Sequence, residues 1–427
     1  ALLVELQSRR HRQDEQEETL RELQTLCHTA GVEVVRTVVQ RRRHASATTF
    51  VHKGKAQQIK ALVQASGVDV VIFNDELTPV QGRNLEELLQ VKIVDRAQLI
   101  MDIFAQRAMT TDAKLQVELA QLEYLLPRLR GWGESLSRLG GGIGTRGPGE
   151  TKLALERHQL RTRIHRIRKS LNEAKVKRAV MRKQRQKQEI AQIVLVGYTN
   201  TGKSTLLNHL TEAHVLAEDK LFATLNPVTR RLQLPDQSEV VLADTVGFIR
   251  KLPRQLVPAF QSTLESVADA DLLLHVMDAS DVQWPYKWES VQGVLADVLG
   301  PDAWPPVLHV LNKMDAVATL EAKAGVAQAH AQLEHAVEVS ALQGHGIESL
   351  LQTIVALLDQ GKLRVTFFIP YAQGQWLDRL HRHGEVLQQR YEEAQMMVEV
   401  ILPRVELNKI EAQATEDGLS WELHPVA

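Results

Sequence analysis

A short apolar run, Ile190 to Val196, passes directly into Gly197-Tyr198-Thr199-Asn200-Thr201-Gly202-Lys203-Ser204, with Thr205 next. Two glycines five apart and a closing Lys-Ser match the phosphate-loop pattern, in which a buried strand turns through a glycine-rich loop into a helix. In such a loop backbone N–H groups wrap phosphates, Lys203 supplies a cation to the outer phosphates, and the Ser204 hydroxyl is a ligand for Mg²⁺. The feature commits the chain to an α/β fold with its ligand at the carboxyl end of a parallel sheet.

Three further motifs follow in order, each at the end of a strand-like run. Val240 to Ala243 ends in Asp244-Thr245-Val246-Gly247, where a carboxylate reaches Mg²⁺ through water and the Gly247 N–H meets a γ-phosphate. Val307 to Leu311 leads into Asn312-Lys313-Met314-Asp315. The Asp315 carboxylate can accept two N–H bonds from the Watson–Crick edge of guanine and the Lys313 stem can cover the ring, while adenine presents the wrong donors. Val337 to Val339 runs into Ser340-Ala341-Leu342, where a backbone N–H can meet the guanine O6. Together these are the signatures of the translation-factor-like class of P-loop GTPases. A switch threonine must lie between Ser204 and Asp244; Thr224, within Phe222-Ala223-Thr224-Leu225-Asn226, is the first choice and Thr229 the second. Lys203, Thr224 and Gly247 are the expected catalytic groups, with Ser204 and Thr224 on the metal. Phe248 stands where Ras-like enzymes carry the glutamine that orients water, which predicts slow hydrolysis until a partner orders the switches. Asn200 is open to two readings, a turn residue or a residue that holds a potassium ion beside the phosphates.

Lys plus Arg number 51 and Asp plus Glu 52, a net charge of -1 that conceals strong segregation. Leu115, Leu119, Leu122 and Leu126 mark one helical stripe, and Leu153, Leu160, Ile164, Ile167, Leu171 and Ala174 a second. They predict an antiparallel helical hairpin over 110–189, with the glycine-rich stretch 130–150 as its tip. Between Thr151 and Gln188 only Glu156 and Glu173 oppose a long series of arginines and lysines, a bias that favours a polyanion, and structured RNA above single strands because aromatics are scarce. Arg138, Gly142, Arg146, Gly147 and Lys152 are the expected RNA contacts. No DNA partner is indicated. Residues 1–109 read as a small α/β unit, with strands Leu2 to Leu6, Val32 to Val39, Val68 to Phe73 and Val91 to Val94. Its Lys53-Gly54-Lys55 opens a helix, where free N–H groups could hold an anion, but matches no complete phosphate motif and reads first as a solvated basic turn. Residues 190–360 form the nucleotide-binding unit, and 361–427 a small α+β unit with strands Leu363 to Ile369 and Met397 to Leu402, a helix from Tyr371 to His383 and a short closing helix. Cys27 is the single cysteine, which excludes an intrachain disulfide and fits a reducing, cytoplasmic setting. No run reaches the roughly 18 apolar residues of a membrane span, so no stable membrane insertion is expected. The chain opens at Ala1, which leaves a removed leader open.

The stretches Gly141-Gly142-Ile143-Gly144-Thr145-Arg146-Gly147-Pro148-Gly149-Glu150, Leu115 to Leu122, Leu221 to Asn226 and Asp244 to Ile249 together resemble the HflX family of ribosome-associated GTPases. Asn226 replaces the acid usual in that family, leaving Thr224 intact. The resemblance spans nearly the whole chain. It implies an N-terminal α/β domain, the hairpin, a P-loop GTPase domain and a C-terminal α+β domain. It further implies a monomer that uses GTP/GDP with Mg²⁺, and a potassium ion under one reading of Asn200. Such a factor binds the 50S subunit and the 70S ribosome through 23S rRNA and separates stalled or idle ribosomes into subunits. A GTPase checkpoint for large-subunit assembly, without 70S splitting, is the alternative. An RNA-modifying enzyme would need a catalytic cysteine or cofactor pocket, and Cys27 alone supports that poorly.

Overall fold

The structure is a computed structural model that describes residues 1–7, 13–42, 44–129, 148–186, 190–211, 221–222, 228–250, 266–300, 304–360, 362–392, 394–403, 407, 410, 414 and 417–424. Strands β1 (Leu2–Gln7), β2 (Arg36–Arg41), β3 (Val70–Phe73) and β4 (Lys92–Asp95) form a parallel sheet in the order β2-β1-β3-β4. The sequence places the second strand at Val32 to Val39. It starts later because register is set by which side chains reach the core, and Val38 and Gln40 are the buried positions. Helices α1 (Gln13–Thr29), α2 (Lys53–Ser66), α3 (Pro79–Leu89) and α4 (Arg96–Arg107) connect and cover the strands. Thr78 starts α3 with a capping box, and the Asp95 carboxylate caps α4 through the Gln98 N–H at 2.9 Å. Lys53 begins α2 directly, behind a His52 that makes no side-chain cap.

Helix α5 (Thr111–Arg128) is buried on two faces, where the leucine stripe points to one. Ala113, Val117, Ala120 and Tyr124 join the core that holds α4, while Leu119, with Leu115, Leu122 and Leu126 beside it, meets Ile164, Ile167 and Leu171 of α6 (Pro148–Gln186). Asp112 pairs with Arg178 and the Leu129 carbonyl accepts from Arg157, so the two helices run antiparallel, as a hairpin requires. Arg163–Glu118 and Arg168–Glu123 bridge them on the outside. Arg161, Arg166, Lys169 and Lys177 are exposed. Arg138, Gly142, Arg146 and Gly147 lie outside the described residues, as does the side chain of Lys152.

The central sheet has the order β10-β9-β8-β5-β7-β6, from β5 (Ala191–Val196), β6 (Val228–Gln233), β7 (Glu239–Asp244), β8 (Leu272–Asp278), β9 (Val307–Asn312) and β10 (Ala336–Glu338). All pairs are parallel except β6 with β7, the antiparallel edge. The near-continuous burial of β5, β8 and β9 follows from their apolar runs, since a parallel sheet is covered on both faces. Helices α7 (Lys203–Thr211), α8 (Trp284–Leu299), α9 (Leu320–Gln332) and α10 (Ile347–Gln360) belong to this unit. A third, antiparallel sheet, β12-β13-β11-β14, comprises β11 (Lys362–Pro370), β12 (Glu385–Tyr391), β13 (Gln395–Pro403) and β14 (Ser420–His424). Helix α11 (Gln375–His383) sets Trp376 and Leu380 into its core. Leu407, Ile410 and Ala414 are helical and buried in the same core, where the sequence places a short helix, and β14 follows them; β12 and β14 escape a sequence reading because they are short, largely exposed edges. Among the described residues no helix is long and apolar enough to cross a membrane.

The candidate nucleotide site

The four motifs converge. The loop from Gly197 to Gly202 joins β5 to α7, and the other three motifs lie around it. Asn312, at the end of β9, donates from Nδ2 to the Thr201 carbonyl at 2.9 Å and accepts on Oδ1 from the Ala341 N–H at 3.0 Å, so one buried amide ties the phosphate loop to the segments at Asn312–Asp315 and Ser340–Leu342. Gly202 has φ of +90°, and a Cβ there would stand 2.3 Å from the Asn312 amide nitrogen. Only glycine fits that approach. Asn200 takes φ of +61°, in the left-handed region that asparagine tolerates.

At the phosphate end, the Ser204 hydroxyl donates to the Asp244 carboxylate at 2.7 Å. Asp244 is fully buried. A hydroxyl and a carboxylate oxygen in contact at a helix N-terminus make a hard, oxygen-only donor set, which suits Mg²⁺. Lys203 is 6% exposed, and its ammonium donates to the Gly197 and Tyr198 carbonyls at 3.2 and 2.6 Å. Burial lowers its pKa to about 8, with Asp244 pulling it back up and Lys313 pushing it further down. Thr245 Oγ1 donates to the Leu195 carbonyl at 2.6 Å and Val246 is buried, which fixes the start of the Asp244–Gly247 segment on the sheet.

That segment continues onto the phosphate loop. Phe248 donates its N–H to the Gly197 carbonyl at 3.0 Å and accepts the Thr199 N–H at 2.8 Å. Gly247 lies so close beneath that a Cβ would meet Thr199 Cα at 2.7 Å and Lys203 Nζ at 3.0 Å. The Phe248 ring is buried in the core, so it plays no part in orienting water.

At the opposite end of the site, Lys313 sits at φ of +64° and its ammonium pairs with Asp278 at 2.8 Å. Asp315 is exposed and accepts from the Ser340 hydroxyl at 2.5 Å. Met314 packs against the cluster around Trp284 and Leu311, and Leu342 is exposed. Thr205 is half-buried in the first turn of α7. Ala223, Thr224, Leu225 and Asn226 lie outside the described residues. Thr229 is in β6, paired opposite Ala243, where the strand ladder holds its backbone. Phe222 is described, and its ring packs edge-to-face on Phe104 of α4 at 4.7 Å between centroids.

Several participants escape the motifs. Asp278 lies at the end of β8, a strand whose sequence names no ligand. Tyr198 turns its side chain away from the phosphate side and towards α1, where its hydroxyl donates to Glu22. Cys27 is buried and its thiol is pushed up to about 11 by burial, which removes it as a nucleophile.

Comparison with known proteins agrees with this geometry. Family models described as GTP-binding GTPase N-terminal, GTP-binding GTPase middle region and 50S ribosome-binding GTPase match residues 17–105, 107–185 and 192–313. A protein named GTPase HflX from Caldanaerobacter subterraneus subsp. tengcongensis is 46% identical over 379 residues, 89% of this chain and 86% of that one. The proteins of that name from Escherichia coli and Magnetococcus marinus are 42% and 40% identical; the first comparison covers 93% of each chain, the second 100% of this chain and 98% of its relative.

Proposed function

This chain belongs to the HflX family of GTPases, and we propose that it couples GTP hydrolysis to the separation of 70S ribosomes into subunits. That it is a GTPase with a ribosome-binding GTPase domain follows from its family. The splitting activity, the 50S subunit and 23S rRNA as partner, a monomeric state and a cytoplasmic setting are the finer reading. The observation that supports it is the exposed basic face of α6, with Arg161, Arg166, Lys169 and Lys177, on a hairpin packed against the unit that also contacts the nucleotide site. A cationic rod suits RNA phosphates, and a glycine-rich tip suits close approach to a backbone.

In this reading the four segments 1–109, 110–189, 190–360 and 361–427 divide the work, with the third holding GTP. Residues 197–205 wrap the phosphates, and Asn312, Lys313, Asp315 and the Ser340–Leu342 turn hold guanine. Lys203 and the Gly247 N–H face the charge that develops on the γ-phosphate, and Thr224 closes over it. Ser204 and Thr224 would hold Mg²⁺ directly and Asp244 through water, and the ion would supply positive charge against the phosphates. With Phe248 buried, no side chain at that position orients water, so hydrolysis is slow until the ribosome orders the switches. GTP occupancy favours binding and hydrolysis favours release. Potassium is the finer reading at Asn200: faster hydrolysis in potassium than in sodium buffer is its expected mark, and equal rates leave Asn200 a turn residue.

The deciding experiment is a sucrose gradient of purified 70S ribosomes with the protein and either GTP or a non-hydrolysable analogue. Subunit peaks are expected. Binding without dissociation would replace this reading with the assembly checkpoint. Trimming residues 138–149 should abolish the subunit peaks and leave GTP affinity unchanged.

A further inference from the structure

The strongest unassigned feature is a buried polar cluster where the N-terminal unit meets the phosphate loop. Glu22 of α1 and Arg96 of α4 form an ion pair that is almost fully enclosed. The other Glu22 oxygen accepts from the Tyr198 hydroxyl. Arg96 is oriented from behind by Asn74, whose Oδ1 accepts from it at 2.9 Å and whose Nδ2 donates to Glu5 at 3.0 Å. What this apparatus grips is a single residue, Arg250, at the end of the segment that begins at Asp244. The Arg250 N–H donates to the Tyr198 hydroxyl oxygen at 2.9 Å, and the Arg250 carbonyl accepts from Arg96 Nη2 at 3.0 Å. Both main-chain groups of a residue three beyond Gly247 are therefore held by groups that Glu22 orients. Tyr198 stays protonated, because burial and the Glu22 charge raise its pKa far above the usual phenol range.

In this arrangement the segment lies on the phosphate loop, spends the Thr199 N–H on the Phe248 carbonyl and brings Gly247 onto Lys203. We propose that Glu22 and Arg96 are positioning residues for the segment from Asp244 to Arg250: through the Arg250 main chain they hold it down on Lys203, it has to lift before a γ-phosphate can sit between Lys203 and the Gly247 N–H, and GTP binding and the seating of the N-terminal unit therefore oppose each other. Lys287 of α8, paired with Glu18 of α1 at 2.9 Å, adds a second tie across the same junction. The inference rests on the nucleotide site being at Lys203. It predicts that signals entering through the N-terminal unit or the hairpin packed on it change GTP affinity more than GDP affinity.

The test compares Glu22→Gln with the native chain. Because Glu22→Gln strands a buried guanidinium and can unfold the chain, the double variant Glu22→Gln/Arg96→Met, which removes both charges, accompanies it. Fluorescent GDP and a non-hydrolysable GTP analogue are titrated into each protein with Mg²⁺, and hydrogen exchange is read at the Arg250 amide. The expected result is a rise of about tenfold in the ratio of GTP-analogue to GDP affinity, the factor carried by one hydrogen bond to a charged group, together with faster exchange at Arg250. Adding the GTP analogue to the native chain should expose the same amide. A ratio unchanged in a folded variant, with Arg250 still protected, would overturn the proposal while GDP binding continued. A native chain that bound neither nucleotide would overturn the site assignment, and this inference with it.

Discussion

Lys203 holds its ammonium between two main-chain carbonyls, near the Asp244 carboxylate, with almost no exposure. Burial brings its pKa down to about 8, so near pH 8.5 a large share of the nucleotide-free molecules carry a neutral amine. A bound phosphate restores the preference for the charged form. The sign is therefore proton uptake on binding, between about pH 8 and the higher pKa of the complex. Calorimetry of GDP binding at pH 8.5 in buffers of different ionisation enthalpy should show that uptake, and Lys203→Met should lose nucleotide affinity altogether. Proton release at that pH would contradict the assignment. Such roles are legible in sequence where chemistry leaves one residue type able to act: a Lys-Ser pair after a glycine, or an aspartate three residues after Asn312. Tyr198 is the opposite case. Its backbone belongs to the motif, and its side chain belongs to a contact with Glu22, which lies far away in the chain.

Among the elements, the hairpin depends on a narrow apolar seam. Ile167 is 1% exposed and meets Leu119 and its neighbours. Ile167→Ala should cost about 3 kcal/mol, from lost transfer energy plus a cavity that the two helices cannot fully close. Arg163→Ala, which breaks an exposed pair with Glu118, should change stability far less, because water screens both charges. Denaturant midpoints of the two variants check the ranking; equal losses would mean that the seam is not what holds the helices together. Periodicity revealed both stripes, since a helix that buries one face must repeat near every third or fourth residue. It missed the second buried face of α5, where Ala113, Val117 and Ala120 are small or β-branched and pack on α4. Small residues announce close contact only once the partner helix is known.

At the scale of the molecule, a net charge of -1 coexists with a cationic rod, so the total predicts nothing about RNA and the distribution predicts much. If α6 meets RNA as proposed, affinity for the 50S subunit should fall steeply as salt rises. Changing Arg161, Arg166 and Lys169 to Gln should flatten the slope of log affinity against log salt by about one per phosphate contact removed, with nucleotide affinity untouched. Filter binding across a salt series measures it, and an unaltered slope would take α6 out of the interface. The sequence by itself determined the GTPase class and the charge segregation: four motifs at strand ends and a strongly basic helix, because such signals are local and tolerate few residue types. Only the tertiary structure decided how the N-terminal sheet, the hairpin and the nucleotide unit share one core, with Leu23, Phe104, Tyr124, Tyr198 and Phe248 in a single cluster. Apolar side chains are interchangeable partners, and nothing in a run of leucines and phenylalanines specifies which distant run it will meet.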